Sequence, residues 1–350
     1  MRRPRAFYRG ESRPVWILTV AMSVLVALIL LAVWLFYHLQ QYMVYDKDGA
    51  RLVLPSEREA SLSETTGGES GTSSSVELID VDIVIDRTDW SAMPTTYGIG
   101  LQTIHARYVR PDYISRATLD AWAADMVGYD ALVLDLKPES GVLSYLSSVP
   151  MADGYEVNGE AEIRDGVAAL KAQDVYLIAQ ISALVDDTMA LRNAPAAMRD
   201  ALTASVYVSD GTMWLDPYSE ATRNYLLLLM REFADMGFDE VLFAGMSLPV
   251  DETLRHGAQL TAQPDPADAV ASLAFWLREQ ADALDLRISA IASPADASQD
   301  LEVFFKAFDR VAFEKEADRA ALEDALGQAN DIRIIPITAT APETGSYILK

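Results

Sequence analysis

A repeating rhythm constrains this chain more than any other feature. Seven short apolar runs alternate with loops and amphipathic helical patterns. The runs are 98–106 (GIGLQTIHA), 131–136 (ALVLDL), 175–181 (VYLIAQI), 240–245 (EVLFAG), 287–292 (RISAIA), 310–314 (RVAFE) and 332–338 (IRIIPIT). Strands that are apolar on both faces and separated by helices form a parallel sheet covered by helices. The helical segments carry matching stripes. Ser115 stands at an N-cap position before Leu119, Trp122 and Met126, and Leu226, Leu229, Met230 and Phe233 recur at i, i+3, i+4 and i+7. Residues 269–284 and 317–326 repeat the pattern. This α/β succession fits a (β/α)8 TIM-like barrel better than a six-stranded open sheet, which stays the alternative. An eighth strand must come from Tyr347–Leu349 or from the apolar–acidic alternation at 76–86 (VELIDVDIVID). Otherwise the barrel is incomplete or irregularly closed.

Ahead of these runs, residues 15–37 (VWILTVAMSVLVALILLAVWLFY) contain no charge, proline or glycine. At 1.5 Å per residue a helix of this length spans roughly 34 Å, against about 30 Å of bilayer hydrocarbon. Trp34, Phe36 and Tyr37 at its end suit an interfacial aromatic belt rather than a signal-peptidase site. Arg2, Arg3, Arg5, Arg9 and Arg13 precede it, so the positive-inside rule places residues 1–14 in the cytoplasm and the rest outside the cell membrane. The expected order is a basic tail (1–14), a single-pass transmembrane signal anchor with the lipid bilayer as partner (15–37), a flexible acidic Ser/Thr/Gly/Glu linker (38–75) and a barrel domain (76–350).

The net charge of −24 repels nucleic acid and anionic lipid. With no cysteine, thiol catalysis, disulfides and cysteine-ligated zinc are excluded. Of the histidines, His38 lies at the membrane edge, His256 in a loop, and His105 is expected to close the first strand and face the mouth. No second histidine stands near it, so no metal site is expected, and a structural role is the plainer reading. Neither a G-x-G-x-x-G after the first strand nor a phosphate loop nor a G-x-S-x-G elbow is present, so no cofactor is expected.

In a barrel of this kind, chemistry sits at the C-terminal ends of the strands. LVLDLKPESG is the densest polar cluster there, with Asp135 and Lys137 sharing strand parity and Glu139 just beyond. Lys137 would hold Asp135 ionised while a more buried Glu139 kept its proton, the raw material of a carboxylate acid/base pair. The plainer reading is an ion pair closing the barrel end. QISALVDD delivers Gln180, Asp186 and Asp187, of which the two aspartates equally well begin the next helix. In GTMWLDPYSEATRNY, Trp214 and Tyr218 are of the type that stacks on sugar rings or fills a core. Asp216 before Pro217 reads as an N-cap and first helical residue.

The succession YDALVLDLKPESGVLSY, VAALKAQDVYLIAQIS, MWLDPYSEATRNYLLLLMREFADMGFDEVLF and SLP resembles a bacterial glycoside hydrolase domain family. Its members are (β/α)8 barrels related to alpha-amylase-like hydrolases, many of them secreted or membrane-anchored. The resemblance runs from about residue 104 to 339, and WLDPYS…GFDE and the Asp-x-Lys at 135–137 are its most specific parts. It implies that Asp135 matches one acidic position and Asp216 the Asp before Pro. It also implies an Asp, a Tyr and then an Arg after GFDE, where this chain has Ala244, Gly245 and Ser247 before Leu248-Pro249, and an Arg where Gln180 stands.

The implied protein is a divergent, membrane-anchored extracytoplasmic relative that binds cell-envelope or other polysaccharide with weak or no hydrolysis. Asp135 and Glu139 are the catalytic candidates. Lys137, Gln180, Trp214, Asp216, Tyr218 and His105 are the substrate-binding candidates. Two alternatives stand beside it. One is an active glycosidase in which Asp186, Asp216 or Asp251 partners Asp135 or Glu139. The other is a non-catalytic envelope scaffold.

Overall fold

The structure, a computed structural model, describes residues 43–46, 49–52, 89–93, 100–152, 157–200, 205–249 and 265–350. Two units divide the chain, Met1–Val84 and Ile85–Lys350. In the first, Met43–Asp46 pairs antiparallel with Gly49–Leu52, within the stretch expected to be linker. The span expected at 15–37, the strand expected at 76–86, His38, His256 and Asp251 lie outside the described residues. Among the described residues no helix is long and apolar enough to cross a membrane.

The second unit is a closed barrel of eight strands. In chain order these are β1 (His105–Val109), β2 (Ala131–Lys137), β3 (Tyr176–Ser182), β4 (Glu240–Ala244), β5 (Arg287–Ile291), β6 (Arg310–Phe313), β7 (Ile334–Thr338) and β8 (Tyr347–Leu349). Each pairs in parallel with the next, and β8 pairs with β1, Tyr347 opposite His105 and Ile348 opposite Ala106. The three-residue Tyr347–Leu349 segment therefore fills the eighth place, and the ring is complete.

Helices α1 (Arg116–Ala124), α2 (Arg164–Lys171), α3 (Asp187–Arg192), α4 (Glu220–Met236), α5 (Pro266–Leu284), α6 (Leu301–Ala307) and α7 (Arg319–Leu326) follow the strands. Their starts obey local chemistry. Ser115 accepts the Thr118 N–H and Ser219 the Thr222 N–H, and each satisfies a donor that the first helical turn leaves free. The expected apolar stripe of α4 is buried, with Leu226, Leu229, Met230 and Phe233 fully covered.

Alternation along the strands splits the core in two. Leu132, Leu134, Leu177, Ala179, Val241 and Phe243 point outward under the helices. Ala106, Ala131, Val133, Ile178, Leu242 and Ala312 fill the barrel with Ile335, Ile337 and Ile348. The N-terminal end of the barrel is sealed by Arg310, which pairs with Glu240 and lies over the Tyr176 ring, whose hydroxyl also donates to Glu240 at 2.8 Å. Around the same end an aromatic–Asp pair precedes β2, β4 and β6: Tyr129-Asp130, Phe238-Asp239 and Phe308-Asp309. Each carboxylate accepts a backbone N–H of the preceding strand, from His105, Leu177 and Ile288 respectively. These three latches set the stagger of neighbouring strands.

Candidate functional site

At the opposite, C-terminal end the strands open into a cavity of about 590 Å³. Asp135 reaches it because Ala131, Val133 and Asp135 share the inward parity of β2. The residue is only 5% exposed. Tyr108, inward on β1, donates its hydroxyl hydrogen to Asp135 Oδ2 at 2.6 Å, while Oδ1 is buried and has no hydrogen-bond partner. Burial pushes the Asp135 carboxyl above the usual aspartate range. The Tyr108 hydrogen bond and the charge of Lys350 pull it part of the way back, and nearby Glu139 pushes it up again. The Tyr108 phenol is raised in turn, by burial and then by that carboxylate.

Lys137 lines the same cavity and its charge weakly lowers the Asp135 carboxyl, but its direct bonds go elsewhere. A register shift separates the two along β2, so the shared parity expected from sequence is lost. The Lys137 side chain is fully buried over the Tyr225 ring of α4, pairs with Asp186 at 2.7 Å and donates to the Ser182 carbonyl at 2.5 Å. Asp186 also accepts the Met189 N–H as N-cap of α3, the helix-starting role weighed for it. The Asp135/Glu139 assignment is also reversed: Glu139 is exposed on the rim, and Asp135 is the buried carboxyl that favours its proton.

Gln180 lines the cavity, as do Ser182, Ala244, Gly245 and Ser247. The end of β4 is firmly placed, because Ala183 N–H donates to the Ala244 carbonyl at 2.8 Å and Leu184 N–H to that of Gly245 at 3.1 Å. Gly245 has φ +58°, and a Cβ there would run into Ser182 Oγ, so only glycine fits this turn.

The other expected contacts are elsewhere. Trp214, Asp216 and Tyr218 are not among the cavity's lining residues. Trp214 packs against the outer core beside Tyr207. Asp216 accepts the Tyr218 N–H at 2.9 Å within a turn, and α4 begins later, capped by Ser219. The proline therefore sits in that turn and is not the first helical residue. Burial raises Asp216 despite that bond and the charge of Arg223. His105 opens β1 and does not close it. It stacks on Tyr347 and lies 3.3 Å from Asp130 at the N-terminal end, away from the mouth.

Several residues at the mouth escaped the sequence reading, among them Tyr108, Lys315, Asp318 and the pair Glu314 and Lys350. Glu314 directly follows β6, and Lys350 follows β8. They pair with each other, and the Lys350 ammonium lies 5.5 Å from the centre of the Tyr108 ring. A charge immediately after an apolar run, the signal that revealed Asp135, marks both.

A family model described as "Putative glycosyl hydrolase domain" matches residues 116–293, just over half of the chain. No curated protein matches the chain at a significant level. A crystal structure of a hypothetical protein from Ruminiclostridium thermocellum ATCC 27405 is similar at 18% identity over 52% of this chain and 95% of that one, with a TM-score of 0.45. Aspergillus fumigatus Ega3 in complex with galactosamine matches at 14% identity over 68% of this chain and 76% of that one, TM-score 0.40. A beta-N-acetylhexosaminidase matches at 11% over 68% and 55%, TM-score 0.48. Likenesses of this size say nothing about chemistry.

Proposed function

The chain belongs to this glycosyl hydrolase domain family, and from that we propose that its barrel mouth binds a glycan and hydrolyses it weakly or not at all. One observation carries the reading: the cavity that holds the buried acid Asp135 is lined from β4 by Ala244 and Gly245. Two-carboxylate glycoside hydrolysis needs a proton donor and an ionised group beside the developing oxocarbenium charge. Asp135, whose burial favours the protonated form, suits the donor. Alanine and glycine supply no ionised group. A missing electrostatic stabiliser of this kind costs about 3 kcal/mol or more, roughly a hundredfold to a thousandfold in rate.

A second reading is favoured by Glu314, which lines the same cavity and follows β6 much as a catalytic carboxylate would. In that case Asp135 donates the proton and Glu314, freed from Lys350, supplies the negative charge.

The test is a binding and turnover screen of the full-length chain in mild detergent against envelope and storage polysaccharides. Binding without sugar release supports the binding reading. Release abolished by both Asp135→Asn and Glu314→Gln replaces it with the second. Neither binding nor release overturns both and leaves a scaffold. The charge-free segment 15–37 behind five arginines supports an anchor that holds this mouth outside the cytoplasm. A reporter enzyme fused after residue 75 and active only outside the cytoplasm would test that placement.

A further inference from the structure

We infer that the glycan bound at this mouth carries free amines, with the ammonium of a hexosamine unit seated on Oδ1 of Asp135. The inference rests on the glycan-binding reading above and names the sugar class.

The unpartnered oxygen is the starting point. Asp135 is 5% exposed, lines the cavity and has one oxygen engaged by Tyr108, while Oδ1 has no donor among the described residues. Burial favours a proton on this oxygen, and a cationic donor in the cavity would replace that proton and leave Oδ1 as the acceptor of its hydrogen bond.

The surrounding charge decides which donor fits best. Glu139, Glu314 and Asp318 line the same cavity as Asp135. Against them, Lys137 is engaged at depth by Asp186, and Lys350 is engaged by Glu314. With Glu314 set against Lys350, Glu139 and Asp318 face Lys315 as the remaining lysine on the lining, so the walls keep an excess of one negative charge besides Asp135. A sugar hydroxyl would satisfy Oδ1 but leave that excess in place. An ammonium satisfies both, through a charge-assisted bond in a partly dry site. A uronic or sulfated sugar would meet repulsion.

Calorimetric titration of the full-length chain in detergent tests this with three tetrasaccharides of the same linkage: β-1,4-glucosamine, its N-acetylated form and cellotetraose. The free-amine form is expected to bind at least about tenfold more tightly than the other two, the usual margin of a charge-assisted bond. Asp135→Asn should erase that preference, and Glu314→Gln, on the exposed rim, should weaken it. A melting temperature for Asp135→Asn equal to that of the parent keeps its result interpretable. If that variant does not fold, Glu314→Gln alone decides, and an unchanged preference overturns the inference.

Equal binding of the three overturns the amine inference while the glycan reading stands. Binding of none overturns both. Tetralysine binding as tightly as the glucosamine tetramer, and indifferent to Asp135→Asn, would reduce the effect to overall charge and also overturn the inference.

Discussion

Tyr108 and Asp135 meet across the first two strands of the barrel, the phenol donating to Oδ2 at 2.6 Å, so that a buried carboxyl faces the mouth with its other oxygen free. This geometry suits a ligand more than it suits stability. Because burial raises the folded-state value, the protonated form is favoured by folding. The wild type therefore loses stability as pH rises from the ordinary value of 3.8 through the raised one. Asp135→Asn is expected to remove that loss and to be as stable as the parent, or more so, at pH 7. Urea unfolding of both proteins between pH 3 and 8 would show it. A variant weaker at every pH would refute it.

The Lys137–Asp186 pair, fully buried, makes the opposite prediction. Lys137→Met leaves a buried carboxylate unpaired and should cost about 3–5 kcal/mol in denaturant unfolding. Adding Asp186→Asn, which keeps an N-cap acceptor, should recover part of that. A single-variant loss below about 1 kcal/mol would mean that Asp186 finds solvent or another donor.

Glu232 on α4 clamps the segment after β2. It accepts from Tyr145 hydroxyl at 2.6 Å, Ser147 hydroxyl at 2.5 Å, and the Ser148 N–H and hydroxyl, each at 2.6 Å. Burial alone would raise its carboxyl, but these donors outweigh burial and hold it below the ordinary glutamate value of 4.5. The clamp's contribution is then complete above that value and fades as pH falls below it. Glu232→Ala should expose Tyr145–Ser148 to rapid amide exchange at neutral pH, and the parent should begin to do so only in acid. Unchanged exchange in the variant would mean that packing alone holds the segment.

Ala244 gives a gain-of-function test. Ala244→Asp puts a carboxylate on the wall that lacks one, and hydrolysis of a bound glycan should rise at least about tenfold. Reducing-end release assays read it directly. A stable, glycan-binding variant with no gain would show that Ala244 is not the missing position.

Much of this was legible because barrel strands are buried on both faces, so their apolar runs stand out and their ends carry the chemistry. Asp135 is visible for that reason, after four apolar positions. Parity failed for Lys137 because a register shift after Asp135 leaves no mark in the sequence. His105 was misplaced because β1, HARYV, looks polar, with Arg107 and Tyr108 among its few apolar residues, while residues 100–104, also part of the expected run, are not strand. The Glu314–Lys350 pair joins two distant strand ends, and no local pattern encodes such a meeting.

Closure of the ring has a consequence for how the chain is made. The Ile104 N–H bonds to the Ser346 hydroxyl across 242 residues of sequence, and Tyr347 N–H returns to the Ile104 carbonyl. During synthesis the first strand waits with one edge unpaired until almost the whole domain has been translated. Pairings so remote in sequence form slowly, and open strand edges invite aggregation. A truncation that removes Tyr347–Leu349 would therefore leave an open sheet rather than a smaller barrel.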